Sequence, residues 1–125
     1  MEDFILSDCE LFIMKEIWSS EKSMTLQDIL ERVNDVHGKN WSKSTVSAFL
    51  GRIVKKNVLK SERKGRQFYH TPLITEKEYM ERTAMNYADR FQDVGIDKLV
   101  SAIEQKRGLS MEEKKRLREI LDELE

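Results

Sequence analysis

The stretch WSKSTVSAFLGRIVKK, residues 41–56, constrains the fold most, because its apolar residues follow the spacing of one helical face. They recur at i, i+3, i+4, i+7 and i+8, and they are Val46, Phe49, Leu50, Ile53 and Val54. This spacing predicts an amphipathic helix. The opposite face carries small side chains and one lysine: Ser44, Ala48, Gly51 and Lys55. The pattern therefore predicts a helix with one buried apolar side and an opposite side that carries mostly small side chains.

A small face that bears hydroxyl groups lets a helix backbone approach another surface closely. Ser47, Thr45 and Arg52 flank this face. The major groove of DNA is wide enough for a helix, and hydroxyl groups bond to base edges or phosphates. Small polar residues are also often simply tolerated on a helix surface. Gly51 argues against that alternative, because a glycine inside a helix costs about 1 kcal/mol relative to alanine.

Capping pairs mark two helices before this one. Ser7 with Glu10 predicts the start of the first helix, and Thr25 with Asp28 predicts the start of the second. Both pairs are followed by apolar residues at helical spacing. His37-Gly38 ends the second element. Three helices in succession are therefore predicted for the first 56 residues.

The pattern then changes to that of a β-hairpin. Two short runs of strand-forming residues flank Lys64-Gly65, and glycine adopts the positive φ that a tight turn needs. Pro72 bars continuation into a central strand. Three more helices follow, separated at Gly95 and Gly108. The order predicts a mainly α protein with a small β-hairpin wing.

The predicted fold is a winged helix-turn-helix followed by a helical appendage. We expect a DNA-binding domain over residues 1–73 and a three-helix dimerisation domain over residues 74–125. About 50 residues are too few to bury the apolar stripes of three helices within one chain. The predicted dimer-interface residues are Tyr79, Tyr87, Phe91, Leu99, Ile103, Leu117, Ile120 and Leu121.

The charge distribution indicates a polyanionic partner for the middle of the chain. The formal net charge of the whole chain is only −1. Residues 43–69, however, hold eight basic residues and one acidic residue, a net charge of +7. Residues 75–125 hold ten basic and 13 acidic residues, a net charge of −3. The central segment should attract a polyanion, and the C-terminal segment should repel it.

No enzyme, metal site or cofactor is indicated. His37 and His70 are isolated and do not share a zinc-ligand spacing. Cys9 has no histidine or asparagine partner nearby, so we expect a partly buried structural thiol. No apolar run is long enough to span a membrane, and the acidic start of the chain does not resemble a signal peptide. The expected compartment is the cytoplasm.

Several motifs resemble the penicillinase-repressor family, which includes the β-lactamase, methicillin-resistance and copper-responsive repressors. They are the segment LSDCELFIMKEIW, the Trp-Ser-x-x-Thr motif from Trp41 to Thr45, Gly65-Arg66 in the hairpin, and Thr71-Pro72-Leu73 after it. The resemblance implies a winged-helix dimer that binds pseudo-palindromic operator DNA and blocks transcription of a resistance or stress operon. The alternative is a winged-helix adaptor that binds protein and not DNA.

By this resemblance, two groups of residues contact the operator. The first lies at the start of the third helix and comprises Ser42, Lys43, Ser44, Thr45 and Ser47, with Arg52 on the phosphate side. Lys55 is predicted to contact DNA for a different reason, because it belongs to the basic C-terminal end of this helix, which can hold the phosphate backbone. The second lies on the wing and comprises Arg63, Lys64 and Arg66.

The chain also departs from the family pattern. Many relatives have Pro-Lys where this chain has Lys43-Ser44, so the resemblance does not determine its base preference. It has no cysteine after Cys9, so the metal switch of the copper branch is absent. The β-lactam branch is cut at an Asn-Phe bond, and the matching place here reads Ala102-Ile103. Release by a membrane sensor-protease of different specificity and release by a small ligand between the two domains both remain open.

Overall fold

The computed structural model describes residues 4–124, which form six α-helices and three short strands. The helices are α1 (Asp8–Ser19), α2 (Leu26–Glu31), α3 (Lys43–Lys55), α4 (Glu76–Arg90), α5 (Ile96–Lys106) and α6 (Met111–Leu124). A π-helical turn, Arg32–Val36, continues α2. The strands are β1 (Met24–Thr25), β2 (Leu59–Lys64) and β3 (Gln67–Pro72). The predicted order of helices and hairpin is confirmed.

Reciprocal caps begin α1 and α2 where the sequence predicts them. The Ser7 hydroxyl accepts a hydrogen bond from the Glu10 N–H at 3.2 Å, and the Glu10 carboxylate accepts one from the Ser7 N–H at 3.0 Å. Thr25 and Asp28 make the same pair of bonds at 3.1 and 3.0 Å. Each box satisfies two N–H groups that a helix start otherwise leaves without partners.

The sheet has one strand more than the predicted hairpin. β2 and β3 form the hairpin, with Lys64 opposite Gln67 and Gly65 at a φ of +68° in the turn. β1 pairs with the other edge of β3, which makes β3 the central strand. β3 nevertheless ends at Pro72, as the prediction that the proline bars continuation of the strand requires. β1 pairs only with Tyr69 and His70, so the missing N–H of Pro72 is not needed on that side.

The hydrophobic core lies where the first three helices meet the base of the sheet. Val46, Leu50 and Ile53 of α3 are 0–3% exposed. They belong to one cluster with residues of α1, α2 and the strands, including Ile13, Ile17, Ile29, Val33 and Leu59. This cluster fixes α3 by its apolar side and leaves its other side outside the core.

A partly buried ion pair joins the end of α3 to the start of α1. The Lys56 Nζ donates to the Glu10 carboxylate at 2.6 Å and to the Ile5 carbonyl at 2.9 Å. Burial raises the pKa of Glu10, but the hydrogen bonds from Lys56 and from the Ser7 N–H lower it, and the net pKa lies below the ordinary value. Glu10 is therefore an ionised carboxylate held by the fold.

The chain divides into two compact units, Met1–Met85 and Asn86–Glu125. The first turn of α4 belongs to the winged-helix core. Tyr79 is only 7% exposed, its hydroxyl accepts a hydrogen bond from the Leu6 N–H at 2.8 Å, and its ring lies edge-on to Phe4. Tyr79 is thus covered by its own chain, which leaves little of it for the predicted dimer contact. The predicted division at residues 73 and 74 stays a prediction.

The second unit contains α5, α6 and the end of α4. The Ser110 and Glu113 box starts α6, with bonds of 3.0 and 3.1 Å. Arg107 donates to Glu113 at 2.9 Å, and the Leu109 N–H donates to Glu104 at 3.2 Å. None of the described residues of α5 and α6 is buried. No helix within residues 4–124 has both the length and the apolar character needed to cross a membrane.

The Glu10–Lys56 pair predicts how stability depends on pH. Because the native pKa of Glu10 lies below its ordinary value of 4.5, its contribution is present above pH 4.5 and is lost as the pH falls through the native pKa. Glu10→Gln should lower the free energy of unfolding by about 1–3 kcal/mol at pH 7. The difference in the free energy of unfolding between Glu10→Gln and the wild type, measured by urea titration, should shrink as the pH falls below 4.5.

Glu21→Gln is the matched control, because Glu21 is exposed and loses the same charge. It should unfold like the wild type at each pH. A deficit for Glu10→Gln that stayed constant from neutral to acid pH would show that ionisation of Glu10 does not stabilise the fold.

Candidate nucleic-acid interface

The solvent face of α3 has the composition that the sequence predicts. Ser44, Ala48, Gly51 and Lys55 are exposed on the side opposite the buried stripe. A Cβ atom placed on Gly51 would meet nothing within 4 Å. The protein's own packing therefore does not require a glycine there.

The first turn of α3 forms a cluster of hydroxyl groups. Ser42 is the N-cap, and its Oγ accepts the Thr45 N–H at 3.1 Å. The same Oγ lies 2.8 Å from the Thr45 hydroxyl and 3.2 Å from the Ser44 hydroxyl. Ser42 thus caps the start of α3, whereas Ser44 and Ser47 present exposed hydroxyl groups on the outer face.

Two hydrogen bonds and an aromatic cluster hold the turn before α3. The Asn34 side chain donates to the Trp41 carbonyl at 2.8 Å and accepts the Trp41 N–H at 2.7 Å. The Trp41 ring packs against Phe12 and Phe49. Asn34 lies in the π-helical turn, and its pairing with Trp41 fixes where α3 begins. No local sequence pattern marks this pairing, because its partners lie seven positions apart in the chain.

The wing carries its cations near the hairpin turn. Arg63, Lys64 and Arg66 are all exposed. The Arg63 Nε donates to the Gly65 carbonyl at 3.0 Å, so part of this guanidinium stabilises the turn itself. The Lys64 ammonium lies 5.7 Å from the centre of the Tyr69 ring.

A groove of about 730 Å³ lies between α3, the start of α2 and the wing. Four of the predicted contact residues line it together: Lys43, Ser47, Lys55 and Arg66. No carboxylate is among its described lining residues. The cations of the helix and of the wing thus face one shared groove, which favours a negatively charged ligand.

The other predicted contacts do not line this groove. Ser42, Ser44 and Thr45 are at the start of α3, and Arg52 lies over the Phe49 ring at 5.5 Å. Further residues line the groove that the sequence pattern did not predict, among them Thr25, Gln27, Phe68 and His70. Pairing of β1 with β3 brings them to the groove, and β1 is too short to show an alternating pattern.

The histidines and the cysteine lie apart from one another. His70 is buried, and its Nδ1 is 3.1 Å from the Met24 carbonyl. Burial lowers the pKa of His70, and the hydrogen bond to Met24 opposes this only in part. His37 pairs with Glu16 at 3.0 Å. Within residues 4–124, no group of three or more His, Cys, Asp or Glu side chains is placed to hold a metal ion.

Cys9 is exposed, so the prediction of a partly buried thiol is wrong. The thiol lies on the outer side of α1.

Known proteins match both the sequence and the fold. The penicillinase repressor family model matches residues 6–123. The penicillinase repressor of Bacillus licheniformis is 31% identical over 118 residues, which cover 94% of this chain and 90% of that protein. The methicillin resistance regulatory protein MecI of Staphylococcus aureus (strain N315) is 26% identical over 94% of this chain and 93% of its own length.

Two solved structures are similar to the winged-helix part. The solution structure of the DNA-binding domain of the repressor BlaI has a TM-score of 0.52 and 34% identity, and covers 59% of this chain and 87% of that domain. The monomeric form of Bacillus licheniformis BlaI, in complex with the blaP half-operator, has a TM-score of 0.50 and 32% identity over 60% of this chain and 88% of that one. The predicted winged-helix fold is confirmed.

Proposed function

The chain belongs to the penicillinase repressor family, and from this membership we propose that it is a dimeric transcriptional repressor that binds a pseudo-palindromic operator. By blocking transcription, it would control a resistance or stress operon. The observation that carries the proposal is the exposed face of α3, which is small and rich in hydroxyl groups beside a groove lined by cations. The BlaI structure that resembles the winged-helix part is bound to a half-operator.

In this proposal α3 lies in the major groove and reads base edges. Ser44 and Ser47 supply hydroxyl groups, and Gly51 lets the helix backbone approach the DNA without a side chain between them. Lys55 and Arg66 neutralise phosphates, which positions the helix but carries no sequence information. Ser42 contributes indirectly, because its cap sets the direction of the first turn of α3.

Two substitutions separate base reading from phosphate binding. Ser44→Glu places a carboxylate against bases or phosphates and should abolish specific binding to a duplex that the wild type selects from a random pool. Arg66→Ala removes a phosphate contact, so it should weaken binding to all sequences and reduce the salt slope by about one unit. Fluorescence anisotropy over a salt series measures both. Operator binding by Ser44→Glu at wild-type strength would show that α3 does not read the DNA.

Gly51→Ala provides the matched variant within the same helix. Because a Cβ fits there without a contact, the change should raise the free energy of unfolding by about 1 kcal/mol. The added methyl group should nevertheless weaken operator binding. A variant that is more stable but binds less tightly cannot be explained by damage to the fold.

The dimer is proposed from the apolar surface of the second unit. In α5 and α6 no described residue is buried, while Ile120 and Leu121 are 53% and 59% exposed. Phe91 is 42% exposed and stacks on Tyr87 at 4.8 Å. We propose that a second copy covers these residues together with Leu99, Ile103 and Leu117. A two-fold dimer would place its recognition helices at half-sites about 34–36 Å apart, or a multiple of that spacing.

Leu121→Asp tests this interface. A carboxylate in the proposed apolar contact should shift the protein toward monomer in light scattering at tens of micromolar, and operator affinity should fall although the DNA-facing surface is unchanged. Lys115→Asp adds a carboxylate at another exposed position of α6 and should leave the dimer intact. A wild-type monomer at that concentration would contradict the proposed assembly.

Release by proteolysis would need α5 to open locally. Ala102 and Ile103 lie within α5, and the charged segment 104–107 that follows them is also largely helical. Hydrogen bonds tie this end of α5 to the start of α6. We propose that an inducible protease, such as a membrane sensor-protease, cuts here and separates the dimer.

Immunoblots of cells treated with a cell-wall antibiotic test this release. Because the chain weighs 14.8 kDa over 125 residues, cleavage at Ala102 should yield a fragment of about 12 kDa that appears as repression is lost. Loss of repression with only full-length protein present would reject cleavage.

A further inference from the structure

Phe68 is an exposed aromatic residue on β3 with no described role in the fold. Its side chain is 54% exposed, and among the described residues it neither belongs to the hydrophobic core nor packs against it. Single exposed apolar residues are ordinary on protein surfaces, so exposure alone indicates no function. The position of Phe68 in the wing is what distinguishes it.

Alternation along β3 places Phe68 on the groove side of the wing. Side chains two residues apart on a strand point to the same face. His70, two residues after Phe68, is buried, and both residues line the groove that Val54 of α3 also lines. The cross-strand partner of Phe68 is Arg63. The ring therefore stands at the wall of the groove that faces α3.

The other groove residues define what fits beside this ring. Lys43, Lys55 and Arg66 provide positive charge, and no described lining residue is a carboxylate. Ser47 of α3 adds a hydroxyl group. A simple anion would use the cations but not the ring, and an apolar partner would use the ring but not the cations. A sugar–phosphate strand alternates negative phosphates with largely apolar deoxyribose rings and matches both.

We propose that Phe68 packs against a deoxyribose of a DNA strand that runs along this groove, while Lys55 and Arg66 hold neighbouring phosphates. The inference rests on the proposed DNA-binding function and adds to it a contact that is not electrostatic. A sugar contact has no base preference. It should therefore act on any duplex, and it should release no counterions.

The experiment uses the full chain and a short mixed-sequence DNA duplex, with the dissociation constant measured from about 50 to about 200 mM salt. Phe68→Thr removes the ring but keeps a strand-forming residue. It should weaken binding about five- to tenfold at every salt concentration, as expected when part of the apolar burial of a phenylalanine is lost. The slope of log affinity against log salt should stay unchanged. Phe68→Leu keeps most apolar area and should retain most of the affinity.

Two variants serve as controls. Arg66→Ala removes a charge and should reduce the salt slope by about one unit. Leu73→Ala removes an apolar side chain that is 50% exposed and does not line the groove, so affinity should not change. Thermal unfolding of Phe68→Thr and Phe68→Leu should match the wild type, because the ring lies outside the core.

Each contrary outcome has a distinct meaning. Wild-type affinity in Phe68→Thr, alongside a shallower slope in Arg66→Ala, would overturn the role of Phe68 and leave the proposed function standing. A loss in Phe68→Thr that comes with a shallower slope would also overturn the direct contact, since Phe68 would then act by placing cations. Failure of the wild type to bind the duplex would overturn both this inference and the proposed function.

Discussion

Burial of one side of α3 is the constraint on which the rest of the structure depends. Val46, Leu50 and Ile53 are at most 3% exposed, and core residues of α1, α2 and the strands pack around them. A core packed at crystal-like density allows the helix few orientations, because each rotation would expose apolar residues or create voids. Burial of the opposite side thereby holds the outer face of α3 in one orientation, and the exposed residues of that face remain accessible to a ligand.

The positive charge of the central segment is shared between folding and the interface. Lys56 is bonded to Glu10 and the Ile5 carbonyl, and Lys60 pairs with Glu62 at 3.5 Å. Arg63 bonds partly within the hairpin turn. The cations that line the groove are Lys43 and Lys55 of α3 and Arg66 of the wing turn. The net charge of a segment therefore shows that a polyanion would be attracted, but the fold selects which cations meet it.

The two units differ in how far each buries its own apolar residues. The first unit has a full core, which the first turn of α4 completes with Tyr79. In the second unit, the described residues of α5 and α6 are at best partly covered, although both helices have capped ends or amphipathic sequences. Capping and periodicity need only neighbouring residues, whereas burial needs a partner surface. A second copy of the chain is the partner we propose.

Local sequence determined the elements of this protein. Capping boxes at Ser7, Thr25 and Ser110, the apolar spacing of α3 and the turn at Gly65 all act over a few residues, so each could be predicted. The small outer face of α3 and the cations of the wing could be predicted as a candidate interface for the same reason.

Only the tertiary structure decided how these elements meet. Three of these contacts leave no periodic signal in the sequence: the pairing of β1 with β3, the bonds between Asn34 and Trp41, and the ion pair of Glu10 with Lys56. The strand pairing and the ion pair each join residues more than 40 positions apart. Tyr79 shares the apolar spacing of its helix with Tyr87, yet it packs into the winged-helix core. The periodic spacing of apolar residues shows that one side of a helix is buried. Which surface covers it depends on the free energy of the assembled core, to which residues distant in sequence contribute together.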